Sequence, residues 1–417
     1  GGTTAGTDNS TTGADTPTTD NTPTVGIQIG TVDVQTLREG NWNSATVAEG
    51  SHDMRFLAAE GGYYYLLNGF LHFYDPSSNV SVILCQKVGC LHEKEENYKI
   101  RKECEALLFA DNLLVYDSGY LYYDKNDHGQ QLYRRNADGT GEKHIATLYE
   151  SHIDSKHEAQ MVSWRISDGV LYYSVLVSTV EPDQNGTLVS KDAYHALMRL
   201  DLSTGKEKEL MRTANASIGI IAAKKNAVLY NTMDMSYYDA PNVMEAMLNT
   251  SRYFYLWTQE ENASQELLCR PKKEYGYTIS FDRGEVVVRA TEPDGYYSYD
   301  FVTGEQQYID RPGDIKLNDD LYFDDAANLF TDASGKEYPN EFLDLSGTEY
   351  NDLWINIFAQ GENGLIMERN YFMKEGPDEQ GFYTITAEAY YYSYVPYEAL
   401  ADGLQPEDVT DILSDVS

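Results

Sequence analysis

The sequence predicts an all-β protein, a β-propeller of about seven four-stranded blades, with six or eight blades as the alternatives. Two observations predict this fold. Short apolar and aromatic runs, rich in the 35 tyrosines of the chain, alternate with turn residues along most of its length, as expected for strands. A turn that opens on Asp or Asn and closes on Gly recurs along the chain, in units that are roughly 40–50 residues apart with insertions, in the range of propeller blades.

The recurrent turn is clearest in Asp-Leu-Ser-Thr-Gly-Lys at 201–206. An Asp or Asn side chain accepts hydrogen bonds from the backbone just after it, Ser or Thr supports the turn, and Gly adopts the positive φ. Related turns occupy 74–79, 136–142, 300–305 and 332–336. Because turn geometry requires these residues wherever the turn recurs, and blade four alone uses Glu261-Asn-Ala-Ser-Gln instead among the units compared, we assign them to the fold and not to a functional site.

The units that carry these turns define the predicted blades. Radial packing covers the faces of such sheets and protects their edges, whereas a pair of β-sandwiches, the alternative architecture, would not need the same turn in each unit. A segment within 27–56 is expected to supply a strand to the last blade and close the ring. The predicted blades span 54–84, 106–148, 168–211, 218–268, 277–309, 315–345 and 353–395.

Two stretches break the strand pattern. Residues 239–249 carry Asp near the start and Pro in the first turn, which favours a short helix inserted in blade four. Residues 405–413 predict a second short helix. Both are expected as helical insertions in an otherwise all-β protein.

The composition excludes several classes of partner. Lys and Arg number 31 against 67 Asp and Glu, a formal net charge of -36. Such a chain repels nucleic acid and anionic lipid, so neither is expected as a direct partner. No apolar run approaches the roughly 20 residues of a membrane-spanning helix. Contact with a membrane is therefore expected only through a lipid.

The first residues differ in composition from the rest. Residues 1–25 consist of Gly, Thr, Asp, Asn, Ser, Ala and Pro with almost no apolar bulk, which predicts a disordered tether, whereas 26–417 are expected to form a single β-propeller domain. The tether resembles the mature start of a bacterial lipoprotein. That resemblance implies a lipidated Cys just upstream and an extracellular location on the bacterial cell surface.

The most distinctive motif combines three cysteines with one histidine. Cys85, Cys90, His92 and Cys104 have the spacing C-x4-C-x-H-x11-C between blades one and two. Three thiolates and an imidazole suit tetrahedral zinc. In an exported protein, however, paired cysteines normally form disulfides, and three clustered thiols leave one over, with Cys269 far away in sequence. A structural zinc site and a disulfide cluster both remain open at this point.

At this motif the chain resembles an uncharacterised family of Gram-positive cell-surface lipoproteins. Their first blades carry Leu-Cys-x4-Cys-x-His…Cys-x-Ala after a Tyr-Asp turn. The matching residues here are Tyr74-Asp75, Leu84-Cys85, Cys90, His92 and Cys104-Glu-Ala106. The resemblance implies a β-propeller lipoprotein of unassigned function. The chain departs from the family pattern in the charged insert 93–103.

Weaker metal candidates lie elsewhere. Residues 181–187 with Asp192 have the spacing of a calcium loop, although Glu at the first position and the lack of flanking helices favour an ordinary loop. Calcium is therefore a weaker cofactor candidate than zinc. The other candidates are two loose groups, each with solvated side chains as the alternative: His144, His152 and His157 with Asp154, and the acidic residues Asp314, Asp319, Asp320, Asp324, Asp325 and Asp332 of blade six.

The sequence carries no Gly-x-Ser-x-Gly, P-loop or His-Glu-x-x-His motif. The leading functional hypothesis is a monomeric, non-enzymatic module that binds a surface protein, a peptide or a glycan. A carbohydrate-active enzyme, a glycan hydrolase or lyase with a central acidic site, is the first alternative, and a structural envelope scaffold is the second. Three tyrosine clusters are candidates for glycan stacking, with strand packing as the alternative role: 63–65, 296–297 and 390–392.

Overall fold

A computed structural model describes residues 42, 55–90, 92, 104–108, 113–126, 130–154, 156–182, 184–235, 241–243, 245–246, 252–267, 279–282, 285–291, 294–299, 306–309, 313, 315–325, 327–375 and 384–416. Within these residues the chain forms seven antiparallel sheets, each built from four strands that are consecutive in sequence. In every sheet the first strand pairs with the second, the second with the third and the third with the fourth. Local hairpins alone therefore generate each sheet.

The strands follow one another with few helices between them. The strands are β1 (Arg55–Ala59), β2 (Gly62–Leu67), β3 (Phe70–Asp75), β4 (Val80–Ile83), β5 (Leu114–Asp117), β6 (Tyr120–Asn126), β7 (Gln130–Asn136), β8 (Lys143–Thr147), β9 (His157–Ser167), β10 (Val170–Pro182), β11 (Leu188–Asp201), β12 (Lys206–Thr213), β13 (Ala216–Lys224), β14 (Ala227–Asp234), β15 (Arg252–Thr258), β16 (Ala263–Leu267), β17 (Ile279–Asp282), β18 (Glu285–Thr291), β19 (Asp294–Tyr299), β20 (Gln306–Ile309), β21 (Ile315–Lys316), β22 (Leu321–Asp324), β23 (Leu329–Asp332), β24 (Glu337–Tyr338), β25 (Asp352–Gln360), β26 (Gly364–Glu375), β27 (Thr384–Pro396) and β28 (Thr410–Val416). An α-helix, α1 (Tyr397–Asp402), and short 3-10 turns at Glu150–His152, Glu341–Leu343 and Pro406–Asp408 accompany them.

The sheets pack face to face as the blades of a β-propeller. Separate apolar clusters fill the spaces between neighbouring blades: one lies between blades one and two, others between two and three, three and four, and six and seven. The first strands of neighbouring blades contact each other, as β5 does with β1 and β9, so they lie innermost. Burial between blades, and not within one sheet, therefore supplies the core.

The ring closes between blades seven and one. Phe56 of β1 packs on Phe358 of β25 and on Tyr392 of β27, with ring centroids 6.2 and 5.3 Å apart. The hydroxyl of Tyr63 donates a hydrogen bond of 2.7 Å to the backbone oxygen of Gly364 in blade seven. The tyrosine cluster 63–65 is buried, so its role is core packing. The side chains of 296–297 lie outside the described residues.

All blades point the same way around the ring. The hairpins between first and second strands lie next to each other: Gly169 N–H bonds the Asp117 carboxylate at 3.2 Å, and Tyr172 donates to Lys225 O at 3.1 Å. Because the strands alternate in direction, the turns between third and fourth strands lie at this same end. We call it the turn end. The opposite end, where the first strand of each blade begins, is called the variable end.

The recurrent turns at 74–79, 136–142, 201–206 and 332–336 form as predicted and lie at the turn end, whereas 300–305 lies outside the described residues. In 201–206 the Asp201 carboxylate accepts hydrogen bonds from the Ser203 N–H at 3.0 Å and hydroxyl at 2.6 Å, and from the Thr204 N–H at 3.0 Å. Gly205 takes a φ of 68°. Such turns join the third and fourth strands of a blade tightly, which is why their residues recur.

Three expectations about connections need correction. The helix predicted over 405–413 is wrong, because Pro406–Asp408 forms one 3-10 turn and β28 then pairs with β27. A strand from 27–56 is expected from the sequence to complete blade seven, but β28 takes the outer position of that blade. Among the described residues of 27–56, Arg55 and Phe56 instead begin β1 of blade one. The helix expected over 239–249 is confirmed in part: residues 243, 245 and 246 are helical, and the Asn242 side chain accepts the Glu245 N–H at 3.2 Å.

Candidate functional site

The cysteine and histidine residues come together where the chain leaves blade one. β4 ends at Ile83, although the Leu84 N–H still donates to Leu71 O at 3.0 Å. The next residues fold into a knuckle, in which the Cys90 N–H donates to Lys87 O at 3.2 Å and Gly89 takes a φ of 78°. Cys85 and Cys90 therefore lie on one tight loop at the edge of the blade.

The second half of the site returns to the same strand. Beyond Cys104 the chain runs beside the start of β3: the Leu71 N–H donates to Ala106 O at 2.8 Å, and the Leu108 N–H to Gly69 O at 2.7 Å. Both halves of the site are thus held by the backbone of β3. This shared anchor explains why residues distant in sequence converge.

The four side chains offer a compact donor set. The sulfur atoms of Cys85, Cys90 and Cys104 and a ring nitrogen of His92 all lie within 4.8 Å of one another. The Sγ of Cys104 is 3.5 Å from Nδ1 of His92. The three cysteines are unbridged. This Cys₃His cluster can hold a metal ion such as zinc.

Apolar residues pack against the inner side of the cluster, and hydrogen bonds hold its outer side. Cys104 is buried with Phe70 and Leu107. The Glu105 carboxylate accepts the Gln86 N–H at 3.1 Å, and its backbone oxygen accepts a hydrogen bond from Arg135 of β7. Arg135 belongs to blade two, so the cluster lies at the rim between blades one and two.

The two halves of the cluster have different electrostatic environments. Burial works to raise the pKa of Cys85, but hydrogen bonds from the backbone N–H groups of Lys87 and Glu105 outweigh it and lower that pKa. Burial raises the pKa of Cys104 to about 12. Burial, together with the nearby charge of His92, lowers the pKa of His72 to about 4. His72 therefore stays neutral beside the cluster at physiological pH.

The other candidates from the sequence do not assemble into sites. Glu181 and Asp192 lie on the paired strands β10 and β11, where Glu181 faces Val189, so a calcium loop is not formed. His144 bonds Gln131, His152 bonds Tyr194, and His157 bonds Asp154. No further group of three metal-ligating side chains occurs in the part of the chain that the structure describes.

The acidic residues of blade six also lie apart. Asp319 and Asp320 are exposed in the turn before β22, Asp324 ends β22 at the opposite end of the blade, and Asp332 caps the turn after β23. Asp314 lies outside the described residues. These residues therefore do not form a shared acidic site near the ring axis. The Asp332 carboxylate instead stabilises its own turn by accepting a hydrogen bond of 2.8 Å from the Ser334 N–H.

Sequence reasoning missed a second feature, the difference between the two ends of the ring. At the variable end the connections are long or extended, as in 84–113 between β4 and β5 and 235–251 between β14 and β15. The hairpins β10–β11 and β26–β27 also exceed their counterparts in blade one. Trp354, near the start of β25, is 50% exposed there, with its ring 4.7 Å from Phe372. The lengths of the connections could have predicted this end from the sequence, whereas the exposure of Trp354 could not have been predicted.

Comparisons with known proteins assign neither a family nor an activity to this chain. The sequence matches no protein-family model and no curated protein. Among solved structures, the chain is similar to dipeptidyl peptidase 4 of Porphyromonas gingivalis, with a TM-score of 0.40 and 10% identity over 83% of this chain and 56% of that one. It thus spans little more than half of that peptidase.

Two further solved structures are similar in the same way. The β-propeller domain of the Trilobed protease from Pyrococcus furiosus has a TM-score of 0.34 and 11% identity, over 70% of this chain and 92% of that one. Oligogalacturonate lyase from Vibrio parahaemolyticus has a TM-score of 0.30 and 9% identity, over 86% of this chain and 97% of that one. The class of protein is a β-propeller, and these similarities assign no activity to it.

Proposed function

We propose that this chain is a non-catalytic binding module of a bacterial cell surface, which holds a surface glycan, peptide or protein at the variable end of its propeller. One observation carries the proposal: the two longest connections, 84–113 and 235–251, lie at that end, and the connection 397–409 of blade seven is a shorter exception at the turn end. The hairpins between first and second strands at the turn end are short, as in 60–61, 118–119 and 168–169. Connections that vary over a rigid scaffold are where binding residues are usually found.

The two longest hairpins give the variable end its shape. β10 and β11 extend blade three, and β26 and β27 extend blade seven. Blades one and two lie between them, because the core clusters run from blade seven through one and two to three. The hairpins therefore stand on either side of the two short blades, an arrangement that suits an elongated ligand.

An exposed aromatic pair favours a ligand with a flat apolar face. Trp354 and Phe372 lie side by side on adjacent strands of blade seven, and the Trp354 indole N–H bonds the Asp352 carboxylate at 3.3 Å. A half-exposed indole fixed in this way can stack on a sugar ring or an aromatic side chain.

The cell-surface location is proposed from the composition of 1–25, which resembles a lipoprotein tether. No helix in the described parts of the chain is long and apolar enough to cross a membrane. Fractionation of cells that produce the full-length precursor, followed by protease shaving, tests the location. Protein that stays inside shaved cells would contradict it.

A screen of the purified chain against polysaccharides, glycan arrays and cell-surface extracts tests the binding function. Trp354→Ala is expected to weaken binding to any hit about tenfold or more, since one aromatic stacking contact is worth roughly 1.4 kcal/mol. Tyr308→Ala is the matched control, because Tyr308 is a 60% exposed aromatic on the outer strand of blade five. Product formation from a bound glycan would favour the carbohydrate-active alternative, and equal binding by both variants would exclude Trp354 from the site.

A further inference from the structure

We propose that Cys85, Cys90, His92 and Cys104 bind one Zn²⁺ in a closed tetrahedral site that staples blade one to blade two. The proposal is independent of the ligand-binding function. It rests on the donor set, the distances between donor atoms and the way each donor is anchored. The metal would be held by three sulfur atoms and Nδ1 of His92.

The chemistry of the donors selects the metal. Three thiolates and one imidazole are soft and intermediate ligands, which favour zinc over the oxygen-preferring Ca²⁺ and Mg²⁺. The described group contains no carboxylate ligand. Four protein donors also fill a tetrahedral sphere, so no position remains for water or substrate. Such closed sites are structural and not catalytic.

The distances agree with a tetrahedral sphere. Zn–S and Zn–N bonds of about 2.3 and 2.0 Å place sulfur atoms about 3.8 Å apart and a sulfur and a nitrogen about 3.5 Å apart. The Cys104 Sγ to His92 Nδ1 distance is 3.5 Å, and every other pair lies within 4.8 Å. Side-chain shifts below about 1 Å would complete the sphere, and the backbone can stay in place.

A disulfide accounts for the site less well. Bridging any two of the three thiols leaves the third cysteine and His92 grouped around the bridge without a role. His92 adopts a φ of 54°, a left-handed conformation that a non-glycine residue takes at an energetic cost. In that conformation the imidazole Nδ1 lies 3.5 Å from the Cys104 sulfur. A metal uses all four side chains and offsets this cost.

Zinc at this position would join two blades. Cys85 and Cys90 extend from the end of β4, and Cys104 leads into the segment that pairs with the start of β3. Glu105, next to Cys104, is bonded through its backbone oxygen to Arg135 of blade two. The ion would therefore fix the long connection 84–113 at the rim, between the two blades.

Metal analysis of the untagged full chain, purified without chelator, tests the proposal. We expect one zinc per chain, four free thiols after denaturation in chelator, and less than a tenth of the metal in Cys104→Ser and His92→Ala. Cys269→Ser is the matched control and should retain one zinc, because Cys269 lies outside the C-x4-C-x-H-x11-C motif. Replacement of zinc by Co²⁺ in wild-type protein should give the intense visible bands of a tetrahedral thiolate site, so the result does not depend on the folding of variants.

Two outcomes with the wild-type protein, and one with a variant, would overturn the proposal. One is metal-free protein with fewer than four titratable thiols, which establishes a disulfide. The other is protein with four free thiols that takes up neither zinc nor cobalt when either ion is added. Zinc retained at one per chain in Cys104→Ser would equally exclude this site.

Discussion

At the scale of single residues, the outer side of blade two depends on one carboxylate. Glu142 accepts hydrogen bonds from Arg135 at 2.7 Å and Lys125 at 2.9 Å, and another from the Tyr123 hydroxyl. Burial works to raise the pKa of Glu142, but these bonds outweigh it and hold the pKa at about 2. Arg135, which is almost fully buried, also contacts Glu105 beside the cysteine cluster.

Glu142→Gln should therefore destabilise the protein by about 1 kcal/mol at neutral pH, since Arg135 loses its ionic partner while Glu142 is itself partly solvated. The folded-state pKa lies below the unfolded value of about 4.3, so this contribution is present above that pH and is lost as the pH falls toward about 2. Thermal unfolding from pH 7 down to 3 checks this. The difference between wild type and variant should shrink on acidification, whereas Glu60→Gln, an exposed carboxyl in a turn, should show no difference; a gap that widens in acid would contradict the assignment.

Glu207 shows the opposite behaviour. It lies between blades two and three, where its carboxylate accepts the Tyr149 N–H at 2.9 Å and the Tyr173 hydroxyl. Burial raises its pKa more than these bonds lower it. The ionised form is thus disfavoured in the folded protein, and the contribution of Glu207 to stability is lost as the pH rises through the folded-state pKa.

Glu207→Gln keeps an acceptor for both donors and removes the charge. We expect the variant to be about as stable as wild type near pH 4 and more stable near pH 8, by on the order of 1 kcal/mol. Chemical denaturation at both pH values measures the difference. A variant that is less stable at the higher pH would show that the ionised carboxylate is the favoured form.

At the scale of elements, ring closure rests on packing between β1 and β25. Phe358 is 6% exposed and meets Phe56 and Tyr392 with ring centroids 6.2 and 5.6 Å away. Phe358→Ala should cost about 3–5 kcal/mol, because a large apolar side chain is removed from a closed interface. Urea unfolding measures the loss. Trp354→Ala, on the same strand but half exposed, should cost about 1 kcal/mol or less, and equal losses would place the closure elsewhere.

The elements that sequence could predict are those fixed by local geometry. Asp201 and Gly205 belong to a turn whose conformation is determined by its own residues. The same holds for the hairpins that make each sheet. The helix predicted over 405–413 is wrong because its signals are local, whereas β28 forms through long-range pairing of Leu413 with Tyr392. Long-range pairing overrode local preference there.

The candidate site was predictable in its membership and not in its geometry. Cysteine and histidine spacing gave all four members of the cluster, since their chemistry is distinctive. Their convergence depends on Leu71, whose backbone holds Leu84 on one side and Ala106 on the other. Neither that anchor nor the exposure of Trp354 has a signature in the local sequence, because both depend on how whole blades meet.

At the scale of the whole molecule, acidic side chains far outnumber basic ones, so repulsion between like charges exceeds attraction between opposite charges. The chain carries 67 acidic side chains against 31 Lys and Arg. Several ion pairs in the described residues are largely exposed, such as Lys191 with Glu181 at 3.4 Å and Arg212 with Glu209 at 2.8 Å. Exposed pairs contribute little, whereas a large net charge of one sign works against the compact state. Repulsion should therefore dominate the dependence of stability on salt.

Raising NaCl from about 10 mM to about 300 mM shortens the Debye length from about 30 Å to below 8 Å and screens this repulsion. The expected result is an increase of the unfolding midpoint by roughly 1–3 °C. Differential scanning calorimetry of the purified chain measures it, with sucrose at equal osmolality as the control for solvent effects that do not involve charge. A midpoint that falls with salt would mean that attraction between ion pairs outweighs the repulsion from the net charge of -36. Surface ion pairs, and not only packing between blades, would then make a large contribution to stability.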